Sequence, residues 1–472
     1  MQKMGHRKLE NALNESSGGI ADKKEAISNS MENERIEEAN GKPALNPHEA
    51  LELFLDRIPL SSIPGIHNAA VLEIKSNDSV EDAITCLYKH NVMGAPVLDE
   101  SASSQNPLLD RYIGLVEFAG MVLWALEKFK SADSETKRTG LEISNNKSNF
   151  SFRPSDNAEQ TNPARRIEEI EEEGFFSMLK HLPEVGLAKV GEIARSFRWG
   201  PFLPVRVDDS LLHVLLLLSK HRLKAVPVVN PPDMHVKGFI TQNAAVQILL
   251  QCSGLDWFDM IAHKALFDFG RFHKEQAFGQ IIHLYGNQFI IDAVDCLWKH
   301  RISAVPVIDW KSRTILGHVR NTDMRLLLDD HNIFSKRRTL TIEEFMKLED
   351  LESNSFSTDP VETDFAALLS AGILRLKNVS LPKMMNPPTS QTSDTLKMAM
   401  EKLVKAKSDR SFLINESQEL IGVFTLRDII NQFSPPSLNS LNQYGGFFQS
   451  ALEQTGSRME GGTIVPTNQL LS

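Results

Sequence analysis

The residues best placed for chemistry are a hydroxyl and a carboxylate three positions apart, each time following a short apolar stretch opened by glycine. The stretch Gly422-Val423-Phe424-Thr425-Leu426-Arg427-Asp428 shows the pattern whole. At that spacing, at a helix start, Thr425 and Asp428 form a capping box: each side chain binds the other's backbone amide. Three other stretches carry the pattern in part. After Gly317, Asp323 keeps the acid, but Arg320 stands where the hydroxyl belongs. After Gly238, Thr241 keeps the hydroxyl, but Ala244 replaces the acid. After Gly114 the two places hold Glu117 and Gly120. Two cations, Lys224 and Arg410, stand near the starts of neighbouring apolar stretches. No Gly-x-x-x-x-Gly-Lys loop, His-Glu-x-x-His pair or nucleophile elbow occurs, which argues against an enzyme.

The elements that must position these residues come as a repeat. Stretches beginning at Ser79, Ser210, Phe289 and Thr395 align without a gap, their starts 131, 79 and 106 residues apart. A constant unit with variable linkers is the mark of a repeat architecture. In the first unit Val80, Ala83, Ile84 and Leu87 lie at i, i+3, i+4 and i+7, one apolar face of a helix. Leu211, Val214, Leu215 and Leu218 repeat that face, as do Ile290, Ala293, Val294 and Leu297, then Leu396, Ala399, Met400 and Leu403. Lys-His pairs at 89–90, 220–221 and 299–300 fall at helix ends, where cations complement the dipole. An apolar strand follows each helix, with Pro96, Pro227 and Pro306 expected at a strand start or edge. A glycine-led second strand and a closing helix complete the unit, and a short leading strand such as Ala70-Val71-Leu72 precedes it.

Composition bounds the reading further. The 472 residues are 41% hydrophobic and 24% charged, with a net charge of −10. That is a globular balance over two to four domains, and no basic stripe suggests nucleic acid. The acidic run Glu168 to Glu173 reads as a solvated helix face. Cys86, Cys252 and Cys296 lack metal-ligand spacing; Cys86 and Cys296 fall on apolar helical patterns and read as buried thiols in a reducing compartment. Apolar runs as short as Met121 to Leu126 cannot span a membrane.

A helix ending before x-x-Pro-Val, then Gly-h-h-Thr-x-x-Asp (h, hydrophobic) and a second helix, resembles the CBS domain, here four times in register. With the lead-in Phe54-Leu55-Asp56-Arg57-Ile58-Pro59-Leu60, the chain resembles the gamma subunits of AMP-activated and SNF-related protein kinases, most nearly the plant gamma-like branch. The resemblance implies an α/β fold of four tandem CBS repeats in two pseudo-symmetric two-repeat modules, repeat 1 with 2 and repeat 3 with 4. It also implies AMP, ADP or ATP as regulatory ligands in the clefts, with no cofactor required. In that family the motif aspartate holds the ribose hydroxyls, while the threonine and nearby helix-end amides approach the phosphates. Carried over residue by residue, this assigns Asp428 and Thr425 in repeat 4, Asp323 with Arg320 in repeat 3, and Thr241 in repeat 2. Animal gamma subunits place His-Arg just before the second strand; of those slots only Arg410 and Lys224 remain cationic here.

The expected organisation is disorder over 1–46, repeat 1 over 66–129, and a mainly disordered linker over 130–177. Repeat 2 follows at 188–252, repeat 3 at 274–332, a linker with one helix at 333–378, repeat 4 at 380–436 and a mobile tail at 437–472. Val71, Val97 and Val116 should be buried together, as should Val307 and Val319. The function implied is a non-catalytic regulatory subunit joining a catalytic alpha-type and a beta-type partner, in cytoplasm or nucleus and not secreted. The alternative is a CBS-fold scaffold that has lost its ligand. An enzyme or channel with CBS domains attached would need a further domain, and the polar remainder of the chain has no apolar pattern to fold one.

Overall fold

In the computed structural model the described residues are 47–63, 71–101, 111–146, 174–197, 202–221, 223–230, 235–269, 281–353, 383–435, 457–460 and 463–466. Each apolar face found in the sequence forms a helix, and its four faced residues are buried in every repeat. A first helix α1 (Pro47–Asp56) precedes repeat 1. Repeat 1 then runs β1 (Ile74–Lys75), α2 (Val80–Lys89), β2 (Gly94–Leu98), β3 (Tyr112–Glu117) and α3 (Phe118–Asn146). Helices α4 (Phe175–His181) and α5 (Val190–Phe197) lead to repeat 2: β4 (Val205–Arg206), α6 (Leu211–Lys220), β5 (Ala225–Val229), β6 (Val236–Thr241) and α7 (Gln242–Leu250). Helix α8 (Asp256–Ala262) precedes repeat 3: β7 (Leu284–Tyr285), α9 (Ile290–His300), β8 (Ala304–Ile308) and β9 (Ile315–Arg320), closed by a 3-10 turn at Asn321–Arg325. Helices α10 (His331–Ser335) and α11 (Ile342–Ser353) come before repeat 4: β10 (Thr389–Ser390), α12 (Leu396–Lys405), β11 (Arg410–Ile414), β12 (Leu420–Thr425) and α13 (Leu426–Gln432).

Every repeat has a three-stranded sheet in the same order, with the two-residue leading strand parallel to the middle strand and the third strand antiparallel to it. The prolines therefore stand inside central strands, not at edges. The leading strand is too short to make this expensive. In repeat 4, where Phe412 takes the proline's place, its amide donates to the Pro388 carbonyl at 2.9 Å. Pro96, Pro227 and Pro306 each forgo that one bond. The leading strand of repeat 1 begins at Ile74, which pairs with Val97, and Val71 and Leu72 lie outside it, while Ala70 lies outside the described residues. Ile74 thus joins Val97 and Val116 in the core, while Val71 packs half-buried in a separate cluster. Val307 and Val319 are both buried in one core.

Two small apolar clusters join sheets within a pair. Tyr112, Val229, Val236 and Phe239 do so for repeats 1 and 2, and Ile308, Phe412 and Leu420 for repeats 3 and 4. The large cores run the other way. One buries the helices of repeat 1 with those of repeat 3, Ile84 and Leu87 alongside Val294 and Leu297. Its twin buries Leu215 and Leu218 of repeat 2 with Met400 and Leu403 of repeat 4. A face of four apolar residues per helix exceeds what one sheet can cover, so the two pairs close against each other.

The lead-in segments dock crosswise as well. The amide that opens each first helix donates to a lead-in carbonyl: Val80 to Ala188, Leu211 to Ile58, Ile290 to Leu340 and Leu396 to Lys264, at 2.9 to 3.1 Å. These amides have no partner inside their own helix. The segment before repeat 1 thus caps repeat 2, and the one before repeat 2 caps repeat 1. Repeats 3 and 4 exchange likewise.

Three further expectations need correction. The linker expected to be disordered from 130 is helical as far as Asn146, because α3 continues past its buried first turns. The tail carries a two-stranded hairpin, Ser457–Glu460 with Thr463–Pro466. Cys252 is the fully buried thiol, while Cys86 and Cys296 are half-buried at the rim of their core. The segment 1–46 lies outside the described residues.

Because the cores cross between pairs, Leu215→Ala should cost about 2–5 kcal/mol and loosen repeats 2 and 4 together. Amide exchange with the variant should show lost protection in α12 as well as α6. A loss confined to repeat 2 would contradict the shared core.

Candidate functional site

Strand register brings the candidate residues to one end of each sheet. The fourth residue of the glycine-led motif pairs with the first residue of the middle strand: Glu117 with Gly94, Thr241 with Ala225, Arg320 with Ala304, Thr425 with Arg410. The helix or turn carrying the motif's last residue starts there. Gly317 is required by a close approach. The His318 amide donates to the Met384 carbonyl, and a Cβ on Gly317 would lie 2.6 Å from that oxygen.

In repeat 4 the capping box is fully formed. Asp428 is buried, and its Oδ2 accepts from the Thr425 amide at 2.9 Å and from Thr425 Oγ1 at 2.7 Å. In return Thr425 Oγ1 accepts from the Asp428 amide at 3.3 Å. In repeat 2 the half that survives still caps: Thr241 Oγ1 accepts from the Ala244 amide at 3.2 Å. In repeat 3 the substituted arginine folds back onto its own turn. Arg320 donates from its amide to Asp323 Oδ2 at 2.7 Å and from Nε to both carboxylate oxygens at 3.0 Å, with Nη2 at 2.6 Å from Oδ1. Both side chains are under a tenth exposed, so this is a buried, multiply bonded ion pair.

The two remaining cations are also engaged. Lys224 reaches across to repeat 1 and donates to both carboxylate oxygens of Glu117, at 2.9 and 2.8 Å. Arg410 forks onto its neighbour, with Nε to Asp409 Oδ1 at 2.9 Å and Nη2 to Oδ2 at 2.7 Å. The same Nη2 donates to Ser303 Oγ of repeat 3 at 2.5 Å. Crowding by protein pushes the Asp409 carboxyl up. Pairing with Arg410 outweighs it, helped by Lys224 and His318, and holds the group well below the usual carboxylate range.

Sequence reasoning missed His318. Its place in Gly317-His318-Val319 is one that alternation assigns to an apolar residue, and the ring is fully buried beside Phe412. Neither ring nitrogen has a hydrogen-bond partner. Burial first, then the guanidinium groups of Arg320 and Arg410, hold this ring well below the ordinary value of 6.5, with Asp409 opposing. Glu117 and Asp409 were visible in the sequence, but their pairing depends on which repeats meet. Among the described residues no His, Cys, Asp and Glu cluster suits a metal ion, and no helix is long and apolar enough to cross a membrane.

The family model for the CBS domain matches residues 190–250 and 379–434, which cover repeats 2 and 4. The repeats are CBS domains. Over 415 residues the chain is 29% identical to the SNF1-related protein kinase regulatory subunit gamma-1 of Arabidopsis thaliana, covering 87% of this chain and 89% of that protein. It is 26% identical over 422 residues to the gamma-1-like regulatory subunit of the same organism, covering 82% and 88%. Protein MJ1225 of Methanocaldococcus jannaschii overlays 78% of this chain and 97% of its own at 12% identity and a TM-score of 0.43, too distant a likeness to weigh. The four CBS repeats thus sit in a chain related along most of its length to kinase gamma subunits.

His318 gives the CBS pair of repeats 3 and 4 a pH dependence of known sign. A ring held neutral in the fold takes up a proton on unfolding, so its contribution is complete above about pH 6.5 and is lost as pH falls below it. Melting should drop between pH 7 and pH 5. In His318→Leu the drop should be smaller, and stability at pH 7 should rise by about 1 kcal/mol as two unsatisfied nitrogens disappear. Identical pH profiles for the two proteins would contradict this.

Proposed function

We propose that this chain is a non-catalytic regulatory subunit of a SNF1-related serine/threonine protein kinase, held in a complex with a catalytic alpha-type and a beta-type subunit in cytoplasm or nucleus. The observation that carries the proposal is the 29% identity to a kinase regulatory gamma subunit along nearly the whole of both chains. Co-expression with alpha-type and beta-type subunits tests it. A stoichiometric complex that survives gel filtration is expected, and failure to co-purify with either partner would count against it.

Adenine nucleotide is the ligand we propose, with its ribose on Asp428 and its phosphates toward Arg410 and Thr425. The capping box supports this by fixing the Asp428 carboxylate at the mouth of α13. Asp323 is the poorer place, because Arg320 already covers its carboxylate. A second reading, a scaffold without ligand, is favoured by the same fact extended: Lys224, Arg320 and Arg410 each already face a carboxylate.

Melting wild type and Asp428→Ala with and without millimolar AMP, ADP or ATP separates the readings. Loss of the cap alone lowers stability by about 1 kcal/mol whether or not nucleotide is present. Loss of a ribose contact of roughly 1.5–3 kcal/mol weakens binding about ten- to a hundredfold and removes the extra stability that ligand confers. A wild type unmoved by all three nucleotides leaves the scaffold.

A further inference from the structure

Three register positions recur at the inner end of every sheet: the residue before the middle strand, the first residue of that strand, and the last residue of the third strand. In repeat 1 they are Met93, Gly94 and Glu117; in repeat 2, Lys224, Ala225 and Thr241; in repeat 3, Ser303, Ala304 and Arg320; in repeat 4, Asp409, Arg410 and Thr425. Contacts among them cross the repeats. Lys224 of repeat 2 holds Glu117 of repeat 1, Arg410 of repeat 4 holds Ser303 of repeat 3, and Lys224 lies close enough to Asp409 to act on its charge. Repeats 1 and 2 therefore meet at these residues, as do repeats 3 and 4. Counting Asp323, which Arg320 already holds, the three cations and three acids there sum to zero.

This meeting point is wet. Asp409 is surrounded by protein, yet 53% of its side-chain surface is open to solvent, while Glu117 and Lys224 are 41% and 58% open. Charges this exposed can change partners without breaking a packed core. Arg410, by contrast, is only 10% exposed and is fixed by its fork onto Asp409 and its bond to Ser303.

We infer that Glu117 and Asp409 are tethered occupants of an anion site, holding Lys224 and Arg410 against any multiply charged phosphate that enters the centre. The inference rests on the regulatory reading above only in supposing that a phosphate compound is the visitor. It differs in saying that the chain's own carboxylates set the threshold for entry. A free anion must displace two acids whose effective concentration is high because they are part of the same fold. Removing both acids leaves Lys224 and Arg410 without these carboxylate partners, and two uncompensated cations attract a polyanion.

Inorganic tripolyphosphate is the probe, since it carries the charge without base or ribose. By calorimetry at low ionic strength, the full-length Glu117→Gln/Asp409→Asn variant should bind it at least tenfold tighter than wild type. Adding Lys224→Met and Arg410→Met to that variant should abolish the gain. Equal affinity in wild type and the double variant, including no binding in either, would overturn the inference, as would a gain that outlives both cations. If the double variant does not melt cooperatively, Asp409→Asn alone carries the test, because its side chain is half in solvent; at least a threefold gain is expected. Co-purification with the kinase subunits is scored separately, so a failure of the regulatory reading is not confused with a failure of the tethered acids.

Discussion

Each repeat carries two apolar surfaces on its helices and one small sheet, and the sheet cannot hide both surfaces. Burying an aliphatic side chain contributes about 1.5–3 kcal/mol, so the uncovered faces must find one another. They do so between pairs: α2 and α3 close on the helices of repeat 3, and α6 and α7 on α12 and α13. The sheet contacts within a pair are small by comparison, a handful of residues such as Phe239 and Phe412. The arrangement of all four repeats follows from that imbalance.

Backbone hydrogen bonding reinforces the closure. The opening amide of every first helix is satisfied by a lead-in that belongs, in sequence, to the other repeat of its pair. Neither partner is complete without the exchanged segment. The polar linkers beyond can vary in length because the docked ends, not the linkers, fix the geometry.

A fold copied four times also brings equivalent positions to one place, which is how a symmetric protein gathers charge at its centre. Here the copies have diverged: the same register slot holds Glu117, Thr241, Arg320 and Thr425. Divergence at that slot sets the character of each cleft. Thr425 preserves a capped, oriented acid; Arg320 covers one; Glu117 turns the slot into a partner for a neighbour's lysine. His318, its ring buried with neither nitrogen hydrogen-bonded and disfavoured as a cation by burial and by Arg320 and Arg410, adds a proton-sensitive weakness to the pair that retains both acids.

The sequence by itself determined the unit. Apolar spacing of 3 and 4 placed Val80, Ala83, Ile84 and Leu87 and their equivalents in buried helix faces, and the Thr-x-x-Asp spacing foretold the capping box at Thr425 and Asp428. These are local relations, fixed by 3.6 residues per turn and by the reach of one side chain. Only the tertiary structure decided which repeats share a core, that the lead-ins cross over, and that Lys224 finds Glu117 and Arg410 finds Ser303. Four nearly identical apolar faces are interchangeable by pattern. Which of them meet depends on the lead-ins and on the shape of the whole, and a one-dimensional period carries no information about either.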